Sequence, residues 1–352
     1  MNRPSALTVA GAGMAGLTAA ARARELGLDV VVHEKGDRAG GSMLLSSCVV
    51  WRHRTLELAR EECPTADPAL QRLVVDELDE GLTWLEALGA PVVSKDTGNP
   101  RTAGWRFDPR ELTEVLVRAA GDVRLRSPFP GGARPLVLAT GGFAVRMARE
   151  RALALRANPW SEGDGLDEGL SRGGSTTAGM DEFYGRAMPA PPARWGEEDF
   201  VRASQLYGRW ADVLDEQGES VWEGPVSWSE NDLVQAIARR PRGIARYRVG
   251  RDALAQRVRE RTVADMVAEA ERLGGPVDRD DGGVTVTVQA AVTHTIGGLR
   301  VDEHARVVGT DDLWAAGADA GGFSTGGYAS GLAAALVLGR RAAEDAARRF
   351  AG

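Results

Sequence analysis

After its first five residues the chain passes through a short, mainly apolar run, ALTVA, residues 6–10. It passes into a stretch where Ala and Leu recur every three or four residues up to Leu26, and returns to an apolar run at 30–32. A short apolar run bounded by glycine reads as a strand buried on both faces, and the helical spacing between two such runs reads as the crossover of a β-α-β unit. Residues 54–90 and 108–120 carry Leu, Ala, Glu and Arg at helical spacing and predict connecting helices, with the turn-rich SKDTGNPRTAG between them as a loop. The segment ARPLVLATGGF, 133–143, is a short apolar strand running into a Gly-Gly turn, and RTVADMVAEAERLGG, 261–275, is an amphipathic helix stopped by glycine. From Val284, alternating Val and Thr predict a strand followed by His294. A hairpin centred on DEHARV, the apolar LWAA and a final Ala-rich helix complete the pattern. Helices alternating with fully buried strands predict an α/β fold on a parallel sheet.

At 352 residues the chain is long enough for one large or two medium domains. A composition of 43% hydrophobic and 26% charged residues is that of a globular protein, with no apolar run that could span a bilayer. The first residues lack the apolar core and cleavage site of a signal peptide, so a cytoplasmic location is expected. A net charge of −7, with both signs interspersed, leaves no basic surface for a phosphate backbone and argues against nucleic-acid binding. Two cysteines, Cys48 and Cys63, make neither a disulfide framework nor a zinc site. Metal ligation, a P-loop and a nucleophile elbow have no support in the sequence. The compositional oddity is 44 glycines gathered in a few short stretches.

The first of these stretches, Gly11, Gly13 and Gly16, reads G-x-G-x-x-G between the first strand and its helix. The spacing allows a tight turn, close approach of the backbone to a pyrophosphate, and close helix–strand packing. The N–H groups of the first helical turn, Met14 and Ala15 among them, would then face the diphosphate at the positive end of the helix dipole. Eighteen residues beyond Gly16, Glu34 ends the second strand, where a carboxylate accepts hydrogen bonds from an adenosine ribose. An acid at that place speaks against the 2′-phosphate of NADP.

The residues that follow make the resemblance specific. E-K-x(4)-G-G-S, continued by small hydroxyl residues and a tryptophan, resembles the flavoproteins of the fumarate reductase and succinate dehydrogenase family, ketosteroid dehydrogenases included. The resemblance implies a Rossmann-like FAD-binding domain of the glutathione reductase type, formed by 1–156 and 289–352, with an α+β capping domain inserted over 157–288. It implies Lys35, Gly40, Gly41, Ser42 and Ser46 as flavin contacts. No histidine lies in 36–48, so noncovalent FAD is expected. The A-T-G-G element at Ala139, Thr140 and Gly141 resembles the family's return to the nucleotide-binding sheet, although the meander expected before it is short or missing. NPWSEGDG resembles the segment by which the chain leaves for the cap. AAGADAGG, with Gly317, resembles the segment closing the ribityl and pyrophosphate site, Asp319 standing for the usual glutamate. The helix starting near Ser330, Gly331 and Leu332 would point its N-terminus at the flavin.

His294 belongs to H-T-I-G-G, which resembles the family's H-x-x-G-G on the substrate side of the flavin, and is expected to donate a hydrogen bond to a substrate oxygen. His33, His53 and His304 have no such context and read as structural or solvated. The proton donor or acceptor is expected among Tyr328, Tyr247 and Arg246. Fumarate reductases also use an arginine in the cap and another in the last glycine cluster, a fork suited to a carboxylate. GGFSTGGYASG has no arginine, and the cap segment carries Trp228 and Ser229 near the first position. Five of the nine tryptophans, Trp160, Trp195, Trp210, Trp222 and Trp228, fall in the expected cap, as core or as an aromatic wall. The expectation is an FAD-dependent dehydrogenase or reductase that moves a hydride to or from a carbon next to a carbonyl of an apolar, non-dicarboxylate small molecule, with an external electron donor or acceptor. The alternatives are a flavin oxidase using dioxygen and a flavin-binding protein without turnover.

Overall fold

A computed structural model describes residues 6–350. The chain divides into two compact units. The first comprises residues up to Ala144, Asn158–Glu182 and His294 onward; the second comprises Val145–Ala157 and Phe183–Thr293.

The first unit is organised on a parallel sheet. Strands β1 (Leu7–Ala10), β2 (Val30–His33), β3 (Val123–Arg124), β4 (Leu136–Leu138) and β5 (Leu313–Ala315) lie in the order β5-β4-β1-β2-β3. All four pairings are parallel, with Leu7 opposite Val30 and Thr8 opposite Leu136. β1, β4 and β5 are buried along their whole length, as the apolar runs require. Helix α1 (Met14–Glu25) connects β1 to β2 and is buried mostly through alanines. Helix α2 (Gly331–Phe350) packs on it so closely that a Cβ at Gly339 would stand 2.6 Å from the Ala15 carbonyl oxygen. Small residues on both helices hold both N-termini near the sheet. The chain runs from β3 to β4 without a further strand.

Residues 94–104 differ from the expected loop. Val92–Ser94 and Thr102–Phe107 form a hairpin, and the second strand pairs antiparallel with Val49–His53. Polar turn residues mask two short strands, and Gly104 is needed because a Cβ there would stand 2.2 Å from the Val50 oxygen.

The second unit has a mixed sheet around the long strand Gly283–Thr295. Ile244–Gly250 and Val277–Asp280 flank it antiparallel, Asp212–Leu214 pairs beyond Ile244–Gly250, and Ala154–Leu155 and Phe183–Pro189 also pair with it. The helix Val263–Arg272 starts on a Thr262/Asp265 capping box. Residues 158–182, expected with the cap, pack in the first unit, and Trp160 goes with them. Tyr207, Tyr247 and Phe183 fill the second unit's core, whereas its four tryptophans are only half-buried.

Candidate active site

Three glycines of the first loop serve two different purposes. Gly11 has φ +100°, and a Cβ on it would stand 2.1 Å from the Ala139 oxygen. A Cβ on Gly16 would stand 1.9 Å from the Gly11 oxygen. Both positions are therefore glycine because the fold demands it. Gly13, the N-cap of α1, has φ −84°, open to any residue, and its nearest contact for a Cβ is the Gly41 α-carbon at 4.0 Å. The space in front of Gly13 is open, no side chain caps the helix, and the first turn carries no acid. This cradle fits a dinucleotide diphosphate, which needs N–H donors and no side chain in the way.

Glu34 is buried at the end of β2. Its carboxylate accepts the Ala12 N–H at 2.8 Å and the Gly36 N–H at 2.7 Å, leaving each oxygen a second acceptor site for a ribose hydroxyl. Lys35 is engaged elsewhere: its ammonium pairs with Glu162 and, at 2.8 Å, with Asp164. The indole of Trp160 lies on Gly36, where a Cβ would stand 2.5 Å from the ring, and Arg38 covers the ring at 5.1 Å.

The second glycine turn meets the first. Gly40 (φ +105°) and Gly41 (φ +51°) turn the chain into a 3₁₀ helix, Gly41–Leu45, with Gly40 bridged to Gly13 in parallel. Ser42 is half-buried on this turn. Ser46 was expected to meet the flavin, but its hydroxyl donates to the Met43 oxygen at 2.8 Å and accepts from the Cys48 N–H at 3.0 Å, so it closes the turn and keeps no proton for a ligand.

The A-T-G-G turn is clamped by Asp319. This carboxylate accepts the Thr140 N–H, the Thr140 hydroxyl at 3.0 Å and the Gly142 N–H at 3.1 Å. Burial pushes Asp319 up to about 6 against those hydrogen bonds. All its short reach is used inside the protein, so it ties residues 140–142 to 317–319 where a longer glutamate could meet a ribityl chain. Gly317 (φ +66°) packs against Ala15, where its Cβ would stand 3.1 Å from the Ala15 methyl group.

At the start of α2, Ser330 Oγ accepts the Ala333 N–H at 3.3 Å and the Trp51 N–H at 3.5 Å. A Cβ at Gly331 would stand 3.2 Å from Cε1 and 3.3 Å from Nε2 of His294, so the imidazole lies against the first residue of the helix. Leu332 follows, half-buried. Tyr328 stacks edge-on against Trp51 at 5.3 Å, and Trp51 against His53 at 5.3 Å. Gly326 donates its N–H to Glu182 at 2.7 Å, and Gly327 leaves 1.7 Å between a hypothetical Cβ and the Glu62 oxygen, so the loop carrying Tyr328 is held from two sides. His294, Gly331, Ser330, Trp51 and Tyr328 thus form one contiguous group. His53 is buried, and burial pushes it down to about 4, so it is neutral at pH 7.

The other two expected catalytic residues lie in the second unit with structural work. Tyr247 is fully buried against Tyr207 at 5.4 Å, and burial pushes its hydroxyl well up. The Arg246 guanidinium donates to the Asp215 and Glu216 carbonyls at 2.9 and 2.8 Å, closing a turn. The alternation R-Y-R-V signalled this, since a strand with arginines on either side of a tyrosine turns the tyrosine inward. Trp51, Asn158 and Trp160 lie within the segments that carry the resemblance, but the motifs assign no cofactor contact to any of them. Among the described residues no group of His, Cys, Asp and Glu could hold a metal, and no helix is long and apolar enough to cross a membrane.

A family model described as FAD binding domain matches residues 7–133 and 108–333. No curated protein matches the sequence. Among solved structures, the chain is similar to a flavocytochrome c3 fumarate reductase in its open conformation at 20% identity, with a TM-score of 0.70 over 99% of this chain and 79% of that one. It is also similar to the 3-ketosteroid Δ4-(5α)-dehydrogenase of Rhodococcus jostii RHA1, at 17% identity and a TM-score of 0.69, covering 99% and 98%. The 3-ketosteroid Δ1-dehydrogenase of Sterolibacterium denitrificans gives 14% identity and a TM-score of 0.71, covering 97% and 99%. At these identities the likeness is one of fold.

Proposed function

The chain belongs to the FAD-binding-domain family, and from that premise we propose that it is an FAD-dependent dehydrogenase or reductase making or reducing a carbon–carbon double bond beside a carbonyl of an apolar small molecule. FAD, when bound, supplies hydride exchange. The chain's own residues do the rest. The observation that carries the reading is the group at the start of α2, a half-buried imidazole against Gly331 and an aromatic pair, Trp51 and Tyr328, in a loop without a cation for a carboxylate.

His294 donates an N–H to the carbonyl oxygen and so favours the enolate charge that this oxygen carries when the β-carbon has gained hydride or the α-carbon has lost its proton. Tyr328 gives or takes the accompanying proton through its hydroxyl, and Trp51 fixes the ring by its edge contact. The positive end of α2 lies beside the same group and favours negative charge there.

On an enone or ketone substrate, His294→Ala is expected to lower kcat about a hundredfold or more, the usual cost of one oxyanion donor. Tyr328→Phe is expected to cost about a hundredfold with FAD binding unchanged. Steady-state kinetics with an artificial electron carrier check both. Full activity in His294→Ala on every substrate turned over by the wild type would remove that residue's role. Visible spectra after anaerobic reduction decide the class: slow return of the flavin bands in air fits a dehydrogenase or reductase, and return within seconds identifies an oxidase.

A further inference from the structure

Asn158 begins the segment that follows the second unit's first excursion, and it belongs to the first unit. It is 8% exposed. Its backbone oxygen accepts the Ser161 N–H at 3.1 Å, and its side-chain oxygen accepts the Trp160 N–H at 3.3 Å. The second bond orients the amide, so that Nδ2 points away from Trp160. A Cβ built at Gly41 would stand 3.6 Å from this Nδ2 and 3.2 Å from the Gly13 α-carbon. The amide nitrogen therefore lies over the junction of the two glycine turns. No residue among those described accepts a hydrogen bond from it. The residue is almost wholly buried, yet its amide is oriented by one end and its nitrogen has no protein partner at the other, so the nitrogen is a donor open to an acceptor.

The open face of Gly13 and the uncapped start of α1 make that junction the place for a diphosphate. Two residues on, Trp160 lies over Gly36, beside the carboxylate of Glu34. The tripeptide Asn158–Trp160 thus runs alongside the adenosine diphosphate half of the site from its phosphate end to its ribose end.

We infer that Asn158 is a cofactor-binding residue that donates its side-chain N–H to a diphosphate oxygen of FAD and so bridges the two glycine turns. A donor to a charged oxygen is stronger than one to a neutral group. The inference holds whichever substrate is turned over, because it concerns the half of the cofactor that takes no part in the reaction.

The test replaces Asn158 by Asp, which has the same shape and still offers an oxygen to the Trp160 N–H, yet sets a negative charge against the diphosphate. Apoprotein is titrated with FAD, followed by flavin fluorescence, and with ADP, followed by calorimetry. Asn158→Asp is expected to weaken both ligands by about a hundredfold, and Asn158→Ser by about tenfold, with the apoprotein melting within a few degrees of wild type. Affinities unchanged in Asn158→Asp overturn the inference, and so does a loss in Asn158→Asp with none in Asn158→Ser, which would report only repulsion by the new charge. If the Asp variant does not fold, the Ser variant decides: unchanged FAD and ADP affinity overturns the inference, and loss of both in equal proportion supports it.

Discussion

Gly13→Val is expected to give a folded protein that no longer holds FAD. The position has an extended conformation that valine adopts readily, and the nearest atom to a new Cβ is 4.0 Å away, so the fold has no objection to a side chain. The objection comes from the ligand. A branched side chain takes the space a diphosphate needs and separates it from the first-turn N–H groups of α1. Losing several charge-assisted hydrogen bonds of ~1.5–3 kcal/mol each weakens binding by roughly a thousandfold or more. The comparison with its neighbours sharpens the result. Gly11→Ala puts a methyl group 2.1 Å from a carbonyl oxygen at φ +100°, and Gly16→Ala does so at 1.9 Å. Both are expected to destabilise the apoprotein itself by about 3 kcal/mol or more. Flavin titration together with thermal melts of the three apoproteins checks this. Tight FAD binding by Gly13→Val would mean that the diphosphate does not sit on this cradle.

The second large effect is expected at Asp319. Its carboxylate is the shared acceptor for Thr140 and Gly142, and removing it in Asp319→Ala leaves three donors without this partner, the Gly142 N–H buried and the two of Thr140 half-buried. At ~1–3 kcal/mol for each unsatisfied group, a loss of about 3 kcal/mol or more follows, read from urea unfolding of the apoprotein. The same group gives stability a pH dependence with a definite sign. Burial raises Asp319 from an ordinary 3.8 to about 6, so the folded chain binds this proton more tightly than the unfolded chain. Its contribution is fully present below about pH 4 and is lost as pH rises through 6, on the order of 3 kcal/mol in all. Asp319→Asn removes the titration. The difference in unfolding free energy between wild type and Asp319→Asn should fall from pH 4 to about pH 6.5 and then level off. A flat difference across that range would show that the hydrogen bonds from Thr140 and Gly142 outweigh burial.

The β-α-β unit and its glycine spacing were legible because both signals are local. Helical periodicity and the intervals between Gly11, Gly13 and Gly16 depend on residues within one turn or one strand of each other. The strand leading to His294 was legible for the same reason, through its alternation of Val and Thr. The hairpin of residues 92–107 was not, since its strands are short and are stabilised by Val49–His53, about fifty residues earlier. Lys35 and Ser46 sat in the right motif, yet the partners that engage them, Glu162 and Asp164 for the lysine and the backbone of a 3₁₀ turn for the serine, are set by how the chain folds back.

Sequence alone determined the β-α-β unit, the strand leading to His294 and the phosphate-binding turn, and that the chain would carry FAD on a parallel sheet. Those properties follow from side-chain size and polarity at fixed local spacing. Only the tertiary structure decided that Gly13 faces open space while Gly11 and Gly16 face backbone. It also decided that Asp319 is consumed by a turn 177 residues before it, that Tyr247 is core, and that Asn158 reaches the glycine junction. Each depends on which distant atoms come within hydrogen-bond or van der Waals range, and that proximity exists only once the sheet has brought the ends of its strands together.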